Sequence, residues 1–180
     1  MKTVKKLLIV LAIIIAIPLI AALFVPKDYA VEREIVINRP KSMVFDYVKY
    51  LKNQDNFSVW NQKDPVMKKE YKGSDGTVGF IAAWESKNNE VGKGEQEILN
   101  IVEGERIDTK LRFKVPFEAQ DDAYFATESL DSNTTKIKWG FKGSMPYPFN
   151  VMGLFFDMDK EVGGDLGQGL ANLKTLMEKQ

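Results

Sequence analysis

The chain has 180 residues, 25 basic against 25 acidic, with no histidine and no cysteine. That composition removes thiol nucleophiles, disulfides, histidine-based triads and most zinc or iron sites. Setting aside the three leader lysines Lys2, Lys5 and Lys6 lowers the basic count from 25 to 22 and leaves a balance of −3, which argues against a nucleic-acid partner.

The first segment in chain order is "LLIVLAIIIAIPLIAALFV", Leu7 to Val25, an uncharged run about as long as a hydrocarbon core is thick. Pro18 kinks such a span without disqualifying it. A secretory signal peptide would carry a shorter apolar region and a small-x-small cleavage site. Neither Ala22, with Ile20 two before it, nor Ala30, with Asp28, supplies that site. The reading is an uncleaved single-pass anchor, with 1–6 cytoplasmic, 7–25 transmembrane, 26–29 a linker and 30–180 one ligand-binding domain outside the cytoplasm. Three lysines before the span against Lys27 after it set that orientation. The linker "PKDY" reaches at most about 14 Å and keeps the domain near the headgroups.

From Ala30 the period changes to two. "AVEREIVI" reads as a strand, "PKSMVFDYVKYL" as a helix opened by Pro40, and "NFSVWNQKDP" as a short helix or turn. Strands separated by turn signals follow: "VMKKEY", "TVGFIAAWES", "GKGEQEILNIV", "RIDTKLRFKV", "DDAYFATESL" and "TKIKWGFKG". Gaps this short predict an antiparallel meander. Ile107, Leu111, Phe113, Val115 and Phe117 share one parity and form a dry face, as do Val78, Phe80, Ala82 and Trp84, and Ile137, Trp139 and Phe141. In "DDAYFATESL" two parities compete: Tyr124, Ala126, Glu128 and Leu130 against Ala123, Phe125 and Thr127.

The last segment, "FDMDKEVGGDLGQGLANLKTLMEK", fails as an EF-hand because Val162 and Gln168 stand where the glycine and the bidentate glutamate belong. Its glycines run in the wrong order for a dinucleotide-binding loop. It reads as an amphipathic helix with Phe155, Met158, Val162, Leu166, Leu170, Leu173 and Met177 on one arc and Asp159 at its edge. Gly163 and Gly164 are expected to kink or break it.

The stretch from Trp60 to Ile98, with Asp64-Pro65, Gly79, Trp84 and Gly92/Gly94, resembles the SRPBCC (START-like, helix-grip) superfamily, in particular its polyketide cyclase/dehydrase-type branch. "TKIKWGFKGSMPYPF" and "MDKEVGGDLGQGLANLK" resemble that branch's last strand and C-terminal helix. The resemblance implies an α+β helix-grip fold, a curved antiparallel sheet of six to seven strands wrapped around a long C-terminal helix, with an apolar cavity between them. The cavity candidates are Trp60, Phe80, Ala82, Trp84, Leu111, Phe113, Val115, Tyr124, Ile137, Trp139, Phe141, Phe155, Met158, Asp159, Val162 and Leu166. The expected function is binding of a lipid or other hydrophobic small molecule, with no cofactor, no metal and no nucleic acid. Two alternatives stand beside it: a cyclase or hydratase using Tyr124, Glu128 or Asp159, and a chaperone-like interaction module with a filled core.

Overall fold

The computed structural model describes residues 2–179. An apolar helix, α1 (Lys2–Ala22), precedes strand β1 (Asp28–Ile37), helix α2 (Lys41–Val48), a 3-10 turn over Leu51–Asn56 and the short helix α3 (Val59–Lys63). Strands β2 (Lys68–Lys72), β3 (Ile81–Glu85), β4 (Lys93–Val102), β5 (Arg106–Val115), β6 (Ala119–Asp131) and β7 (Thr134–Ser144) follow. A second 3-10 turn, Phe149–Leu154, leads into α4 (Met158–Lys179).

The seven strands form one antiparallel sheet in the order β1-β7-β6-β5-β4-β3-β2. Short connections make β2 to β7 pair in sequence, because closing a short loop costs the least entropy and favours the neighbouring strand as partner. β1 breaks the sequence, pairing with β7 from Asp28 opposite Ser144 to Ile37 opposite Thr135. The α+β helix-grip architecture expected from the sequence is the one observed.

One face of the sheet is dry. Ile37, Ile98, Ile107, Phe125, Ile137 and Trp139 point from it into a core shared with Phe45 and Val48 of α2, Phe57, and Leu166, Leu170, Leu173 and Met177 of α4. The opposite face is laced with ion pairs, among them Lys138 to Glu32 at 2.9 Å, Lys136 to Glu128 at 2.7 Å and Arg112 to Glu97 at 2.6 Å. Parity on β6 is settled by packing: Asp121, Ala123, Phe125 and Thr127 are buried on the dry face. Tyr124 and Glu128 therefore face outward, which corrects the placement of Tyr124 in a cavity. Its ring covers Gly140, stacks under the Arg106 guanidinium at 3.8 Å and donates its hydroxyl hydrogen bond to Glu32.

α4 runs uninterrupted across Gly163 and Gly164, so the expected break does not occur. The helix is held by four buried apolar side chains, and such packing outweighs a propensity cost of about 1 kcal/mol per glycine. Two of its glycines make room for neighbours instead. The Trp139 ring lies 2.7 Å from where a Cβ on Gly169 would stand, and the Arg33 guanidinium occupies the space beside Gly163. The helix begins later than the apolar arc suggests, because the Asp157 carboxylate accepts a hydrogen bond from the Lys160 backbone N–H at 3.1 Å and caps it there. Phe155 is thereby left in the preceding loop, 83% exposed.

Candidate ligand-binding site

Cross-strand register places the dry-face residues in rungs. One rung runs Ala82, Gln96, Leu111, Asp121 across β3 to β6, and continues through Gly143 on β7 to Tyr29 on β1. The neighbouring rung holds Thr109, Ala123, Phe141 and Val31. Toward α2 and the C-terminal half of α4 the face is filled. Toward the start of α4 it is not: Ala82, Trp84, Leu111, Phe113 and Phe141 are only half-buried, and Val115 is exposed.

Polar groups sit in the middle of this apolar wall. Asp121 is 4% exposed and accepts a 2.8 Å hydrogen bond from the Tyr29 hydroxyl. Gly143 makes the pair possible, since a Cβ there would coincide with the Asp121 carboxylate. Burial pushes the Asp121 carboxyl above the ordinary aspartate range, and burial together with Asp121 pushes the Tyr29 phenol up as well. Beside them Gln96 donates to the Thr109 hydroxyl at 3.0 Å, and Thr109 donates to the Ala123 carbonyl at 3.1 Å. A buried carboxylate with one donor is costly to the fold, and its chemistry is that of a hydrogen-bond acceptor or proton carrier in a low-dielectric setting.

Fifteen of the sixteen sequence candidates fall into three groups, and Tyr124 stands apart. Trp60, Phe80, Ile137, Trp139 and Leu166 belong to the filled core or pack on it, with Trp139 in ring contact with Phe57, Phe125 and Trp60. Ala82 and Phe141, packed on the rim of that core, and Trp84, Leu111, Phe113 and Val115 beyond it lie on the incompletely covered part of the dry face, the half-open trough, where Trp84 meets Phe113 edge-on at 5.9 Å and Phe141 stacks on Tyr29 at 5.9 Å. Met158, Asp159 and Phe155 border a cleft of about 540 Å³ between α4, the Phe149–Leu154 turn and the start of β1, with Val162 one turn further along α4. Asp159 is exposed there and held in a bidentate pair by Arg33, at 2.9 Å to each oxygen, which keeps its carboxyl below the usual range. Tyr124 lies on the other face. Asp121, Tyr29, Gln96 and Thr109 were not anticipated. Choosing the Ala123/Phe125/Thr127 parity turns Asp121 inward by the same alternation, so the signal for it was present; Tyr29 was hidden by its assignment to the linker.

No family model and no curated protein sequence matches the chain. Solved structures do match in fold. Norcoclaurine synthase from Thalictrum flavum, in complex with dopamine and hydroxybenzaldehyde, superposes with a TM-score of 0.62 at 10% identity, covering 89% of this chain and 92% of that one. Ara h 8.0201 gives 0.56 at 15% identity, covering 85% and 99%. The Aha1 dimer from Colwellia psychrerythraea gives 0.58 at 11%, covering 83% and 96%. The chain has the helix-grip fold of these structures. At these identities the likeness is one of architecture, and function must be argued from the site.

Proposed function

We propose that the protein is a membrane-anchored binding protein for a hydrophobic small molecule or lipid, whose apolar body lies along the half-open trough and whose single polar group meets Asp121 and Tyr29. The observation that carries this reading is the rung itself: a buried, singly bonded carboxylate in a wall otherwise built of Trp84, Leu111, Phe113 and Phe141. Ligand sites of this kind combine an apolar lining with a few placed polar groups. The solved structure holding dopamine and hydroxybenzaldehyde is of the same fold. α1 supports anchoring, being long and apolar enough to cross a membrane. The anchor is 7–25 with the N-terminus cytoplasmic and the domain outside, as the lysine asymmetry favours.

The Asp121–Tyr29 pair also favours an enzyme reading, in which the carboxyl shuttles a proton on a bound substrate. Both readings share the same trough, and its occupancy is the first test. Trp84 lines the open part, while Trp60 and Trp139 pack in or on the core. A dibrominated fatty acid added to the full chain in lipid nanodiscs should quench tryptophan emission, in contact with Trp84. The quenching should vanish in Trp84→Phe and weaken in Ala82→Leu, which crowds the trough. Unchanged emission in the native chain rejects an open trough and leaves the interaction-module reading.

A further inference from the structure

Eleven phenylalanines occur in the sequence, and the five that stand exposed among the described residues are Phe24, Phe117, Phe149, Phe155 and Phe156. All five lie at one end of the sheet. It is the end where α1 gives way to β1, where β7 finishes and where β5 turns into β6. The opposite end, with its turns at 73–80, 103–105 and 132–133, exposes none.

This clustering has a mechanical cause. Asn150 is the one buried residue between Met145 and Asp157, 1% exposed, and its amide donates to the carbonyls of Ala22 and Val25, both at 2.7 Å. The first oxygen is that of the last residue of α1 and the second lies three residues beyond it, where the helix no longer supplies donors. Ala22 is itself 1% exposed. One side chain thus bolts the loop to the exit of the apolar helix and leaves Phe149, Phe155 and Phe156 pointing away. Phe24 follows directly on the apolar surface of α1, Asn150 brings the rings of the 145–157 loop to the same exit, and aromatic rings prefer the boundary between hydrocarbon and headgroups. Lys27, exposed at the same junction, suits lipid phosphates.

We propose that the 145–157 loop, with Phe24 and the Phe117 turn, is a foot seated in the interfacial layer of the bilayer that α1 spans. The inference rests on the anchored reading of α1 and adds to it an entry route. The cleft of about 540 Å³, lined by Leu154, Phe155 and Phe156 of this foot, by Val25 and by Met158 at the start of α4, opens at lipid level, and a hydrophobic ligand passes from bilayer to protein without crossing water.

The absence of native cysteines makes the test direct. Single-cysteine variants Ile14→Cys, Phe149→Cys, Phe155→Cys and Val78→Cys of the full chain, spin-labelled in phosphatidylcholine/phosphatidylglycerol liposomes, report the ratio of oxygen to nickel-chelate accessibility. Val78, 61% exposed at the far end, is the aqueous control. The expected order is Ile14 most lipid-like, Phe149 and Phe155 intermediate and several-fold above Val78. Water-like values at Phe149 and Phe155 with a lipid-like Ile14 overturn the foot and leave the anchor standing. A water-like Ile14 overturns the anchor, and the foot with it. The unmodified protein supplies a check free of labels. Met152 and Met43 are comparably exposed, at 53% and 44%, so radical footprinting in liposomes should oxidise Met43 and spare Met152, whereas equal oxidation overturns the foot.

Discussion

At the scale of single residues, Asp121 sets the proposed ligand contact against stability. Its carboxyl has a raised pKa in the fold, so between the unfolded and folded values the unfolded chain binds fewer protons than the native one, and stability falls as pH rises through that window. Asp121→Asn keeps an acceptor for the Tyr29 hydroxyl and removes the buried charge. Thermal unfolding at pH 7 should therefore show the variant at least as stable as the native chain, with the difference closing at about pH 3, below the ordinary aspartate range, where Asp121 is largely protonated in either state. Ligand uptake should fall at the same time. A variant less stable at pH 7 would mean that the carboxylate is held by more than Tyr29. At Gly143 the expectation is opposite in sign, because any side chain there displaces the Asp121 carboxylate, and Gly143→Ala should destabilise and abolish uptake together.

Among the elements, α4 shows what the sequence could and could not disclose. Its apolar arc, the meander before it and the dry parities of β7 and of β5 as far as Phe113 were legible, because periods of 3.6 and 2 are written by burial itself, whereas Val115, Phe117 and Val78, read onto the same dry face, stand exposed where the strands run out. The continuity of the helix was not, since the glycines look like breakers until Trp139 and Arg33 are seen lying against them. The same limit hid the Asp121–Tyr29 pair, whose partners are 92 positions apart in the chain. Sequence periodicity reports which face is dry; it does not report which residues of distant strands share a rung. The two kinds of glycine can be separated by denaturant melts. Gly164→Ala, with open space around its Cβ, should stabilise by about 0.5–1 kcal/mol, whereas Gly169→Ala, pressed against Trp139, should destabilise by about 1–3 kcal/mol. Equal effects would show that helix propensity alone governs both.

For the whole molecule, the junction between α1 and the domain is a fixed joint and not a loose tether. Asn150→Leu should leave the Ala22 and Val25 carbonyls without donors, at a cost of about 1–3 kcal/mol, and hydrogen exchange over residues 23–27 should quicken. Unaltered exchange there would show that the joint does not depend on this side chain. The pairing of β1 with β7 reaches further, into the order in which the protein can be made. Every other strand finds its partner within a few residues of its own synthesis, but β1 must wait until β7 has been added, some hundred positions later. Until then one strand with a dry face stands beside a growing meander that lacks its closing member, a non-local contact of the kind that slows folding. A chain stopped before Thr134 would lose two strands and not one. The last third of the gene therefore decides whether the first strand after the leader ever acquires a structure, and a nascent chain of this design is committed late and all at once.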